Sequence, residues 1–254
     1  MAGAAVATVS AQFVVMFVMM VGVFRSKKEE NVLKGIRLFE PFSKEELGNI
    51  CKIGGPTAIQ GMVYCMISMV LTRMVAAFGA EAIATQRVGG QIESVSWNTA
   101  DGFAAALNAF VGQNYGAKKM DRVQKGYRIS FWTVAIWGAL IMLAFIIFPG
   151  PIAGVFFHEE KAMEIAISYL IIIGFSEAFM CVELMTIGAL SGLGKTKLCS
   201  VISITATSMR IPLAMVLSRT SLGLDGIWWA LTLTSVAKGI IFYLTFRYQM
   251  REKC

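Results

Sequence analysis

Long apolar runs recur along this chain, separated by short polar clusters rich in Lys, Arg, Gly and Ser. Six of them, over residues 2–24, 53–78, 129–149, 162–190, 198–218 and 226–246, are each long enough for a helix to cross a hydrocarbon core. A seventh stretch, 80–111, is as long but carries Glu81, Arg87, Glu93 and Asp101. On a helical wheel its residues divide cleanly. Gln86, Arg87, Gln91, Glu93, Ser94, Trp97, Asn98, Asp101 and Asn108 share one arc, and Val88, Ile92, Val95, Thr99, Phe103, Leu107 and Phe110 share the facing one. The pattern predicts a helix with one packing face and one strongly polar face.

The placement of basic residues tests whether that helix spans. With seven spans, Arg25, Lys27, Lys28, Lys34, Arg37, Lys44 and Lys52 lie on one side of the membrane. Lys118, Lys119, Arg122, Lys125, Arg128, Lys195, Lys197, Arg247, Arg251 and Lys253 join them, whereas the other side has only Lys161 and Arg219. Without the polar span the two largest basic loops fall on opposite faces. Cytoplasmic loops carry the Lys/Arg excess, so the seven-span arrangement predicts an outside N-terminus and a cytoplasmic C-terminus.

Composition agrees. Of 254 residues, 56% are hydrophobic and 15% charged, against about 45–50% and 25% in soluble domains. The fold class predicted is all-α, a polytopic transmembrane helix bundle of about seven spans whose first partner is the lipid bilayer. The net charge of +7 is taken up by orientation, so nucleic acid is not expected as a partner. Met1 opens almost directly into a span with no basic n-region, which predicts no signal peptide and fits a chain begun within a longer membrane protein.

The chemistry available is limited. One histidine, His158, and five cysteines without CxxC spacing give no metal site, and no cofactor is expected. No Ser/His/Asp or Cys/His set is present, so the chain is not expected to be an enzyme. Gly194-Lys195-Thr196 resembles the end of a phosphate-binding loop, but the first glycine is out of register and a span precedes it. The sixteen methionines read as adaptable fillers between helices.

That leaves the charges within spans. A charge at mid-bilayer costs about 2.5–3.5 kcal/mol on insertion scales and usually faces a bundle interior or an aqueous cavity. Glu93, Asp101 and Arg87 either pair with Arg73, Arg210, Lys238, Glu177 or Glu183 to hold the bundle together, or line a hydrated cavity with Gln86, Ser94, Asn98 and Asn108. Glu177 and Glu183 are six residues apart and point about 240° from each other on one helix, so at most one is expected beside Asp101. Pro56 and Pro212, each just inside a span, mark either helix entries or hinges.

Several segments resemble one family. Gly79-Ala-Glu-Ala-Ile-Ala-Thr-Gln86, Gly102-Phe103 and Val111-Gly-Gln-Asn-Tyr-Gly-Ala117 resemble the eighth helix and following loop of MATE (multidrug and toxic compound extrusion) transporters. Ile53-Gly-Gly-Pro56 is similar to the start of their seventh helix. Gly188-Ala-Leu-Ser-Gly-Leu-Gly-Lys195, Arg210-Ile-Pro212 and Gly223-Leu-Asp-Gly-Ile-Trp228 resemble the tenth to twelfth, and Gly3-Ala-Ala-Val-Ala-Thr8 with Gln12 the sixth.

The resemblance implies one lobe of a two-lobe transporter. Residues 1–24 would be the sixth helix, 25–52 a basic cytoplasmic inter-lobe loop, 53–246 a six-helix C-terminal lobe and 247–254 a cytoplasmic tail. It further implies export of small organic, usually cationic compounds across the plasma or inner membrane by alternating access. H⁺ or Na⁺ would be the coupling ion, and an N-terminal lobe or second chain would be needed for transport. Where some members carry an acid in the seventh helix, this chain has Tyr64, so the coupling candidates are Glu93, Asp101, Glu177 and Glu183. Glu93 or Asp101 would exchange the proton, with Trp97 offering an aromatic face to a cation. Arg87, Gln86, Asn98 and Arg210 complete the predicted pathway. A lipid-linked oligosaccharide flippase of the same superfamily is the alternative, though it calls for an arginine-rich cavity rather than charges of both signs. A seven-helix receptor or structural bundle is the third.

Overall fold

A computed structural model describes residues 2–25 and 43–251. Those residues form helices joined by short turns, with no strand among them. The chain divides into two compact units, 1–48 and 49–254. In the first, α1 (Ala2–Arg25) has Val6–Gly22 as its apolar stretch. Lys27, Lys28, Lys34, Arg37 and Lys253 of the predicted basic side lie outside the described residues, as does most of the predicted inter-lobe loop.

In the second unit the predicted spans appear as helices with shifted ends. α2 (Lys44–Ala76) begins well before residue 53, and its first residues belong to the first unit. α3 (Ala80–Gly116) is the helix predicted as the polar span, and α4 (Met120–Ile147) follows. The short α5 (Pro149–Gly154), started by Pro149 where a missing N–H costs nothing, turns the chain back.

The predicted continuous span 162–190 is instead two helices, α6 (Glu160–Gly174) and α7 (Glu177–Gly192), bent by 50°. At the break the Ser176 hydroxyl donates to the Ile173 carbonyl at 2.8 Å, satisfying one freed acceptor. The predicted span 198–218 is likewise interrupted, as α8 (Thr196–Ser208) and α9 (Arg210–Leu217). Pro212 explains that interruption, because its ring excludes the carbonyl four residues earlier, at Ser208. α10 (Leu224–Arg251) closes the unit.

Among the described residues, four helices can cross a membrane by length and composition: Ile50–Ala76, Met120–Ile147, Thr196–Leu217 and Leu224–Arg251. The bent α6–α7 pair makes a fifth if it is one broken span. α3, at 37 residues, has the length but not the apolar composition.

α7 is the axis on which the other helices pack. Met185, Ala189 and Leu190 meet Leu107 and Val111 of α3, Val134 of α4 and Phe242 and Phe246 of α10. Lipid tails are as apolar as leucine, so burial gives little drive here and close packing must supply it. The GxxxG spacing of Gly188 and Gly192 does so: a Cβ on Gly188 would strike the Ala104 carbonyl, and one on Gly192 would lie 2.6 Å from the Asn108 carbonyl oxygen. The methionines divide between core and outer faces, with Met74, Met120 and Met163 packed against the core clusters. Met185 and Met250 are buried in the core, whereas Met62, Met66, Met69, Met209 and Met215 stand on outer faces.

The same contacts order the ends of the bundle. Gly192 beside Asn108 brings the end of α7 to the end of α3, while Lys161 approaches Glu81 at 3.9 Å at the opposite end. Lys118, Lys119, Arg122, Lys195 and Lys197 therefore gather at one end of this unit, away from Lys161.

Candidate functional site

Between α3, α6, α7 and α10 lies a cluster of charged and hydroxyl side chains where a bundle would otherwise hold leucines. Gly89 starts it. A Cβ there would run into the ring of Tyr169, so the bare backbone of α3 seats that ring. One turn on, Glu93 Oε1 accepts a hydrogen bond from the Tyr169 hydroxyl. Trp228 meets the ring edge-on at 5.0 Å and 88°, closing the site toward α10.

Glu177 is fully buried at the first position of α7. The break in the fifth span thus puts a carboxylate at the positive end of a half-helix, as discontinuous transporter helices do with anionic groups. Glu93 and the Ser96 hydroxyl stand close enough to act on it electrostatically. Neither of its carboxylate oxygens meets a hydrogen-bond partner of good geometry, and the Ser96 hydroxyl is instead 3.3 Å from the Cys181 sulfur.

Glu183, nearly two turns along, is also buried and pairs with Lys238 of α10 at 2.8 Å. Both acids are thus interior, although they point away from each other on the helix, and neither stands beside the exposed Asp101. α7 is surrounded on most sides by α3, α4 and α10, so opposite faces of it are both interior. Arg210, the first residue of α9, donates through Nε to Thr234 at 3.0 Å and through Nη2 to Ser235 at 2.8 Å. Its field reaches both Glu93 and Lys238. The cluster holds three carboxylates, Glu93, Glu177 and Glu183, against two cations, Arg210 and Lys238.

The rest of the polar face of α3 lies elsewhere. Arg87, Trp97, Asn98 and Asp101 are exposed, Gln86 is half-buried, and none of these packs into the cluster. They form a polar stripe that the described residues of the second unit leave uncovered. Neither Arg87 nor Asp101 has an ionic partner there. The structure thus brings Glu93 together with Glu177, Glu183 and Arg210, and separates that group from Asp101, Trp97 and Asn98. The wheel gave Glu93 and Asp101 one face, but Glu93 sits at its edge, where packing against α6 decides its neighbours.

Tyr169, Ser96 and the α10 set Thr234, Ser235 and Lys238 were not among the predicted site residues. For α10 a signal existed, since three polar residues fall within five positions of a span. Tyr169 had none, because a single tyrosine in an apolar helix is ordinary. Tyr64 stands exposed on α2 within electrostatic reach of Tyr169.

Comparison with known proteins bears on what this arrangement serves. The MatE family model matches residues 56–216. A probable multidrug resistance protein NorM of Thermotoga maritima is 28% identical over 98% of this chain and 54% of its own length. The probable multidrug resistance protein YoeA of Bacillus subtilis is 24% identical over 99% and 55%. Among solved structures, a MATE protein in complex with MaL6 superposes with a TM-score of 0.86 at 21% identity, over 99% of this chain and 57% of that one. The Vibrio cholerae MATE transporter VcmN in its bent form gives 0.76 at 20%, over 87% and 50%. This chain spans about half the length of the relatives it matches.

Proposed function

This chain belongs to the MATE family of multi-pass membrane transporters, which are not enzymes, and on that premise we propose that it is the C-terminal lobe of a cation-coupled antiporter. The observation that carries the reading is the uncovered polar stripe of α3 beside a buried, acid-rich cluster. A stripe bearing Arg87, Asn98 and Asp101 is costly against lipid. A second lobe, from an adjoining segment or another chain, would enclose it as one wall of a central aqueous cavity. Trp97 and Asp101 then present an aromatic face and a carboxylate, the pair of features that recognises an organic cation.

The cluster behind the stripe supplies the coupling. One carboxylate in excess of the cations leaves a vacancy for a single monovalent cation, H⁺ or Na⁺. Glu177, with no hydrogen bond to either oxygen, is where a buried charge most needs one. Filling and emptying that vacancy changes the charge between α6, α7 and α10 and beside Arg210 of α9, and the breaks at 175–176, between α6 and α7, and at Met209, between α8 and α9, are the places where the bundle can bend in response. Alternating access would then exchange substrate for ion, at the plasma membrane with the basic end of the bundle cytoplasmic. The mixed signs of the embedded charges favour a cation over a phosphate-bearing lipid-linked sugar.

Joining the chain to the N-terminal lobe of the Thermotoga relative and reconstituting the product in vesicles tests this. Efflux of a fluorescent organic cation is expected to follow an imposed H⁺ or Na⁺ gradient, to lose that dependence in Glu177→Gln, and to lose affinity for the cation in Asp101→Asn. Efflux indifferent to both gradients sinks the antiport reading. Coupling that survives in Glu177→Gln and Glu93→Gln alike sinks the site.

A further inference from the structure

At the basic end of the second unit, the first turns of α4 and the last turns of α10 enclose a cavity of about 810 Å³. No residue of α3 lines it, so it is separate from the stripe and the acid cluster. Two facing ladders at helical spacing form its walls, Lys125, Arg128 and Trp132 from α4 and Tyr243, Arg247 and Arg251 from α10. Its floor is apolar, with Tyr127 and Phe246 stacked at 3.6 Å and 15°. Arg247 is held in place, its Nη1 donating to the Tyr243 hydroxyl at 2.9 Å.

Four cations surround this space and one carboxylate, Asp121, also lines it. The imbalance calls for an anion. The surroundings say which kind. Below Trp132, the exposed Ile136 and Leu140 continue the same face of α4, and exposed Leu244 and Ile240 continue α10. Basic residues over aromatic residues over an apolar surface match, in order, a phosphate headgroup, the membrane interface and acyl chains. A soluble anion would use only the first of these three.

We propose that this cavity binds the headgroup of an anionic phospholipid, with the acyl chains lying along the outer faces of α4 and α10. Lys125 and Arg128 hold the phosphate from one side and Arg247 and Arg251 from the other, and Trp132 marks the level of the interface.

Trp132 makes the site readable. The purified chain is reconstituted in phosphatidylcholine bilayers containing brominated phosphatidylglycerol or brominated phosphatidylcholine. Quenching of Trp132 is taken as the difference from Trp132→Phe. The anionic lipid is expected to quench at several-fold lower mole fraction than the zwitterionic one. Each cation near an anionic lipid surface contributes about fivefold, so Arg128→Gln with Arg251→Gln is expected to abolish the preference. Arg128→Lys with Arg251→Lys keeps the charge, guards against a folding artefact and is expected to retain it. Equal quenching by the two lipids overturns the proposal, as does a preference that survives the paired glutamine change. Displacement of the brominated phosphatidylglycerol by millimolar inorganic phosphate would assign the site to a free anion instead. No transport is measured, so this outcome and that of the efflux experiment are independent.

Discussion

At the scale of single residues, the cluster contains two kinds of buried acid. Glu183 is matched to Lys238 at 2.8 Å, and Glu177 is matched to nothing by hydrogen bonding. Removing one partner of a buried pair leaves an uncompensated charge, at a cost of about 3–5 kcal/mol, whereas replacing both by apolar residues is often neutral. Lys238→Ala is therefore expected to lower the thermal midpoint of the detergent-solubilised protein sharply, and Lys238→Met with Glu183→Leu to recover most of the loss. Glu177→Gln is expected to leave the midpoint nearly unchanged, because neither carboxyl oxygen makes a hydrogen bond that the amide would lose. A fall as large as that of Lys238→Ala would mean that Glu177 holds the bundle together instead of waiting for an ion.

At the scale of elements, packing between helices rests on absent side chains. Gly188 lets α7 touch the α3 backbone at Ala104, and that contact aligns the helix carrying Glu93 with the one carrying Glu177 and Glu183. Gly188→Val is expected to cost several kcal/mol, beyond the usual 1–3 kcal/mol of overpacking, because the obstacle is backbone and cannot rotate away. Gly90→Val, on the partner helix α3 with open space around it, is the control. Comparable losses of thermal midpoint in the two would refute the contact's importance. Helix breaks were only half legible beforehand. Pro212, read as either an entry or a hinge, stands at one of them while Pro56 lies inside the unbroken α2, and the bend between α6 and α7 follows no proline. It has no local signal strong enough to separate it from a continuous apolar run.

At the scale of the whole molecule, the distribution of charge is the topological statement. Lys118, Lys119, Arg122, Lys195 and Lys197 gather at one end of the second unit, with Lys161 at the other, the asymmetry by which loop charge orients a bundle. In a cysteine-free background, Lys119→Cys and Lys161→Cys are expected to react with a membrane-impermeant maleimide from opposite sides, Lys119→Cys from the cytoplasm. Labelling of both from one side would contradict the α3 span. The polar composition of α3 makes that helix the one most easily missed, and its inclusion decides the side on which every later loop lies.

The sequence by itself determined the solvent, the class of fold and the polar helix. Each depends on local composition and on a helical period that survives without knowledge of neighbours. The family was legible too, because small residues at close helix contacts recur in a fixed order. Tertiary structure alone decided which acids meet which bases. Glu93 and Asp101 differ by 80° on a wheel, a difference without meaning until α6 lays Tyr169 across one and leaves the other bare. Likewise Glu183 and Lys238 are 55 residues apart, and only the packing of α10 on α7 makes them a pair. Charges interact through space, and in a low-dielectric interior the nearest few ångströms decide whether an acid is a strut or a site.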